Sequence, residues 1–133
     1  MEEKDDDVFK NLRLKKIEWT MSEDNISSFR ITLSDGTVSP PVGKSELRNV
    51  AVFPDEKSIR SVRVEHSKNN FHFLQFLDAE KEVIAEVGKQ GKRMVDGHWW
   101  DEIELKEGEE IVGFRATEDF QNMRGIDFII IKK

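Results

Sequence analysis

The sequence predicts an all-β domain made of three similar units. Three observations carry this expectation: apolar and polar residues alternate over short runs, turn-forming residues separate the runs, and one apolar spacing pattern recurs three times. Alternation with period two over about four to eight residues marks a strand with one buried face. Three units of similar length imply a three-sided arrangement of sheets, with a two-sheet sandwich as the alternative.

Each element follows from its residues. Ile17-Glu18-Trp19, the run Phe29-Arg30-Ile31-Thr32-Leu33, Val62-Arg63-Val64 and Ile103-Glu104-Leu105 all alternate. Ile126-Asp127-Phe128-Ile129-Ile130-Ile131 is nearly continuous and reads as a strand covered on both faces for most of its length. Between the runs lie Ser34-Asp35-Gly36, Ser39-Pro40-Pro41-Val42-Gly43, Lys68-Asn69-Asn70, Gly88 to Gly91 and Asp96-Gly97, all rich in turn formers. Asp78–Val87 contains good helix formers, but Val83, Ala85 and Val87 fit alternation, so the expectation is a hairpin turn at Asp78–Lys81 followed by a strand.

The repeats share an apolar-x-x-apolar start and a second apolar strand. The starts are Leu14–Ile17, Ile59–Val62 and Ile111–Phe114; the second strands begin at Ile26, Phe71 and Ile126. The first two copies place the second anchor 12 residues after the first, and the third places it 15 after. A strand-and-turn lead-in precedes the later copies, at Val50–Ser58 and Ile103–Glu110.

With 133 residues the chain has the size of one domain, read as residues 8–133 behind a flexible acidic tail at 1–7. It carries no cysteine, which excludes disulfides, thiol nucleophiles and cysteine zinc sites. The formal charge of −6 argues against broad nucleic-acid affinity, which rests on phosphate neutralisation. No apolar run approaches the roughly 20 residues of a membrane helix, and MEEKDDDVFK lacks the features of a signal peptide, so no membrane insertion is expected and the cytoplasm is favoured.

The threefold pattern resembles the jacalin-related lectins, and the segment Ile103-Glu104-Leu105-Lys106-Glu107-Gly108-Glu109-Glu110-Ile111-Val112-Gly113 carries most of the likeness, with Ile59–Val64 as a further strand start. The similarity covers about residues 12–133. It implies a β-prism of three four-stranded Greek-key sheets with pseudo-threefold symmetry. It also implies a monosaccharide site in the last loop, Asn122-Met123-Arg124-Gly125-Ile126-Asp127, where Asp127 would accept hydrogen bonds from sugar hydroxyls. On this alignment Ser27 and His72 are the equivalents of Asp127 in the other units. Met123 stands where the family usually has glycine, and Met1–Asn11 holds no glycine-rich loop.

Other candidate chemistry is sparse. His66, His72 and His98 show no zinc-ligand spacing, and neither a Gly-x-Ser-x-Gly elbow nor a phosphate-binding loop occurs. Asp5-Asp6-Asp7 lacks the spacing of a calcium loop, and Asp101-Glu102 and Glu109-Glu110 are adjacent carboxylates in an acid-rich chain. Lys89, Lys92 and Arg93 form a small basic patch without interleaved aromatics. Trp99-Trp100 is the most unusual pair: on a strand the two indoles face opposite sides, one offering a contact surface for a sugar or a protein. The combined expectation is a non-enzymatic module without cofactor or metal, binding carbohydrate or a glycoprotein. The alternative is a protein-interaction or structural module that has lost sugar binding.

Overall fold

Among the described residues nine strands account for the alternating runs. They are β1 (Leu14–Ser22), β2 (Asn25–Leu33), β3 (Asn49–Val52), β4 (Ser61–Ser67), β5 (Phe71–Leu77), β6 (Val83–Gly88), β7 (His98–Glu104), β8 (Glu109–Glu118) and β9 (Met123–Lys132). The computed structural model describes residues 12–22, 25–43, 46–67, 71–88, 98–118 and 123–132, and among these there is no helix. The acidic run 1–7, the turn at 68–70, Lys89, Lys92, Arg93, the glycines at 91 and 97, and Asn122 lie outside the described residues.

Hydrogen bonding divides the strands into three antiparallel sheets, ordered β2-β1-β3, β6-β5-β4-β7 and β8-β9. The second sheet is a Greek key, since β4, β5 and β6 follow one another and β7 returns beside β4. The first has the same plan in weaker form. Residues 37–42, interrupted by Pro40-Pro41, run along the free side of β2 through the bridges Phe29–Val42 and Thr32–Val38. The matching pairs in the second sheet are Leu74–Val87 and Leu77–Val83. Proline donates no ladder hydrogen bond, so the outer strand of the first sheet survives only as bridges.

All three hairpins share one register. Ile17–Ile31, Val62–Phe76 and Phe114–Phe128 are Cα partners, and each is followed by an outward pair: Glu18–Arg30, Arg63–Gln75 and Arg115–Asp127. Each second strand then bulges by one residue, at Ser27, His72 and Arg124. The register therefore makes Ile26, Phe71 and Met123 the equivalent strand starts, each 12 residues beyond Leu14, Ile59 and Ile111. This corrects the alignment that began the second strand of the third unit at Ile126. Asp127 corresponds to Arg30 and Gln75, whereas Arg124 corresponds to Ser27 and His72. Ile126–Ile131 also departs from expectation: Ile126, Phe128 and Ile130 pack against the core, while Asp127 and Ile129 are exposed, so β9 is covered on one face.

The core lies where the sheets meet. Edge-to-face contacts join Phe29 to Phe114, Phe53 to Phe76 and Phe76 to Phe128, at centroid distances of 4.8, 4.9 and 6.1 Å. Each pair of sheets is thus linked by an aromatic contact, with Phe53 entering at the end of β3. The lead-in strands dock in the same way: the Phe53 N–H donates to the Lys15 carbonyl and the Leu105 N–H to the Arg60 carbonyl, both at 2.8 Å.

Two glycines close the outer strands. Gly43 and Gly88 have φ of +92° and +88°, and a Cβ at either would collide with the backbone carbonyl of the bulged residue, Ser27 or His72. Gly36, at φ +91°, has open space around it. Gly36→Ala should cost about 1–2 kcal/mol from the left-handed backbone alone. Gly43→Ala and Gly88→Ala should cost clearly more, read as lower midpoints in thermal unfolding; equal effects at all three sites would remove the close approach as a constraint.

The expected Asp78–Lys81 turn is present. The Asp78 N–H donates to the Glu82 carbonyl, and the Asp78 carboxylate accepts from the Glu80 and Glu82 N–H groups at 3.0 and 2.9 Å. The Lys57 ammonium lies 3.5 Å away, in the 54–57 turn whose carbonyls also accept from the Arg13 guanidinium. The Glu82 N–H is the main reason the Asp78 carboxyl is held below its usual pKa; the Glu80 N–H and Lys57 add to this against the effect of burial. A depressed native pKa stabilises the fold above the ordinary carboxylate value, near pH 4, and that contribution is lost as pH falls through the native value. Wild type should therefore exceed Asp78→Asn in stability at pH 6–7, with the difference shrinking below about pH 4. A difference independent of pH would contradict this role.

Candidate functional site

A cavity of about 690 Å³ separates the β4–β7 side of the second sheet from the β8–β9 hairpin, within the roughly 300–1,000 Å³ typical of small-molecule sites. Its polar lining comes from His66, Asp101, Glu102, Arg115 and Asp127, and its apolar lining from Val64, Ile103, Ala116 and Ile126. The register explains this composition. Val64 and Asp101 are partners across β4 and β7, as are Val62 and Ile103; Arg115–Asp127 and Ala116–Ile126 are successive pairs across β8 and β9. On the β4–β7 wall Val64, Asp101 and Ile103 share one face, because cross-strand partners and residues two apart point the same way, so carbon and charge stand side by side there.

Several lining groups are already engaged. His66 Nε2 lies 2.7 Å from Asp101 Oδ2, with the imidazole 19% exposed and the carboxylate 66% exposed. Glu102 sits 3.4 Å from both Arg63 Nε and Lys81 Nζ. Desolvation pushes the Glu102 pKa up, but the charges and hydrogen bonds of Lys81 and Arg63 outweigh it and hold the group below its usual value. Glu65, 1% exposed, is opposite Phe73 and Trp100 and does not line the cavity. Among the described residues no group of three or more His, Asp or Glu side chains is placed to hold a metal ion, and no helix is long and apolar enough to cross a membrane.

The sequence-predicted residues distribute unevenly over this site. Asp127 lines the cavity, but it lies in the middle of β9, exposed and opposite Arg115, not at the end of a loop. The strand already begins at Met123, so Met123, Arg124 and Gly125 belong to β9 with backbone partners at Glu118 and Thr117. Trp99 and Trp100 lie on β7 as partners of His66 and Glu65, one step before the cavity residue Asp101. For Trp99, Trp100 and residues 123–125 only the backbone falls within the description, and Asn122 is outside it. His72 is buried and His66 half-buried, on β5 and β4. Sequence reasoning missed Arg115 and did not join His66, Asp101 and Glu102 to Asp127. The 12-residue spacing, applied to the third unit, would have paired Arg115 with Asp127.

Compared with known proteins, the chain matches no family model and no curated protein.

Asp127 accepts no turn hydrogen bond in the middle of a strand, so Asp127→Ala should leave the melting temperature nearly unchanged, within about 0.5 kcal/mol as for ordinary surface positions. A loss of 1 kcal/mol or more, about the cost of a missing cap, would instead assign the carboxylate a structural role.

Proposed function

We propose that the chain is a non-enzymatic carbohydrate-binding module on a jacalin-like β-prism, with its ligand in the cavity between β4–β7 and β8–β9. The observation that carries this reading is the presence of the Asp127 carboxylate in a cavity with both polar and apolar walls. A sugar needs both: hydroxyls must recover the hydrogen bonds they gave to water, and the C–H face gains from apolar contact. Val64, Ile103, Ala116 and Ile126 suit the second need, while Asp127, Asp101, His66 and Arg115 suit the first. Three hairpins of one register, joined pairwise by phenylalanine contacts, support a prism over a two-sheet sandwich.

A protein-interaction module is the second reading. Val50 and Val52, 56% and 60% exposed, favour it from the outer face of β3, which ends the first sheet. A glycan array followed by titration calorimetry separates the two readings. The carbohydrate reading expects millimolar or tighter binding of at least one glycan, lost in Asp127→Ala and unchanged in a Val50→Lys/Val52→Lys variant. A wild-type protein that binds no glycan would sink the carbohydrate reading.

A further inference from the structure

We propose that Arg115 determines specificity at this cavity, forming with Asp127 an open donor–acceptor clamp for saccharides with two free vicinal hydroxyls; the inference rests on the carbohydrate reading above. It comes from comparing one position across three hairpins. In the first hairpin the outward pair is closed, with Arg30 Nε and Nη2 donating to Glu18 Oε1 at 3.1 and 2.7 Å. In the second, Arg63 and Gln75 turn sideways, to Glu102 at 3.4 Å and to Glu86 at 2.9 Å. In the third, Arg115 and Asp127 carry opposite charges at the same register position. Yet among the described residues their side chains form no ion pair or hydrogen bond with each other or with a neighbour. Of the three pairs, this one lines the cavity.

Direct cross-strand partners have Cβ atoms about 4.5–5.5 Å apart, so the guanidinium and carboxylate reach adjacent atoms of one ligand. A vicinal diol matches them: one hydroxyl donates to Asp127 and its neighbour accepts from Arg115. A saccharide lacking either hydroxyl leaves one charged group desolvated without a partner. The diol is neutral, as is the Arg–Asp pair, so binding leaves no net charge. A uronate would be attracted by Arg115 but repelled by Asp127, and an amino sugar the reverse. The second wall offers little competition, since Asp101 is held by His66 and Glu102 by Arg63 and Lys81.

The test titrates the full chain with methyl glycosides of mannose, glucose and galactose and with their 3-deoxy and 4-deoxy counterparts. Wild type, Arg115→Gln, Arg115→Lys and Asp127→Asn are compared, with thermal unfolding confirming that each variant folds. Wild type should prefer a parent glycoside over one deoxy counterpart by about tenfold or more. Arg115→Gln should lose that preference while binding the deoxy counterpart as wild type does, and Arg115→Lys should fall between them. If Arg115→Gln binds the parent glycoside as tightly as wild type while Asp127→Asn does not, the clamp is overturned and carbohydrate recognition stands. If wild type binds none of the glycosides on the array or in titration, both fall.

Discussion

The packing of phenylalanines between the three sheets is the constraint on which the rest of the structure depends. Phe76 touches both Phe53 and Phe128, and Phe29 touches Phe114. Phe76 and Phe128 are held in the same register by Val62 and Phe114 across their hairpins. A slip of one residue in any hairpin would turn its aromatic ring to solvent and its charged row into the core. The core thereby decides which residues face outward. Arg115 and Asp127 face outward because Phe114 and Phe128, one residue away on each strand, must face in.

The bulges and glycines extend that constraint to the outer strands. One extra residue at Ser27 or His72 bends the second strand, and a glycine packs against the same carbonyl from the third. Position Gly43 follows Leu14 at the same distance as Gly88 follows Ile59, so the first two units keep one spacing from their first anchor to their last turn. The second sheet carries an ion-pair network in which Glu102 bridges Arg63 and Lys81. Exposed pairs of this kind are individually worth little. Their effect here is to engage Glu102 on one cavity wall, while on the opposite wall Arg115 and Asp127 show no ion pair among the described residues.

The strands were legible in the sequence because alternation is a local property, and the Asp78–Lys81 turn was legible because Val83, Ala85 and Val87 follow it with period two. The third unit was misaligned for a physical reason. Ile126–Ile131 is so apolar that it outweighs Met123 as a strand start, and hydrophobicity alone does not reveal a one-residue bulge at Arg124. Two-face burial of that run failed because Ile129 lies on an exposed row. Ser39–Gly43 reads as a breaker because of Pro40-Pro41, although residues 37–42 form the outer edge of a sheet. Asp127 was legible as a candidate; its partner was not, because Arg115 gains meaning only once a hairpin register is known. The His66–Asp101 contact joins residues 35 apart on two strands, and no short motif encodes it.

The most direct test of this account is the cross-strand nuclear Overhauser pattern of the β8–β9 hairpin in the uniformly labelled protein. A shared register predicts backbone contacts linking Arg115 with Asp127 and Phe114 with Phe128. Contacts linking Asp127 instead with Thr117 and Glu118 would align it with Ser27 and His72, remove Arg115 from its side and contradict the account.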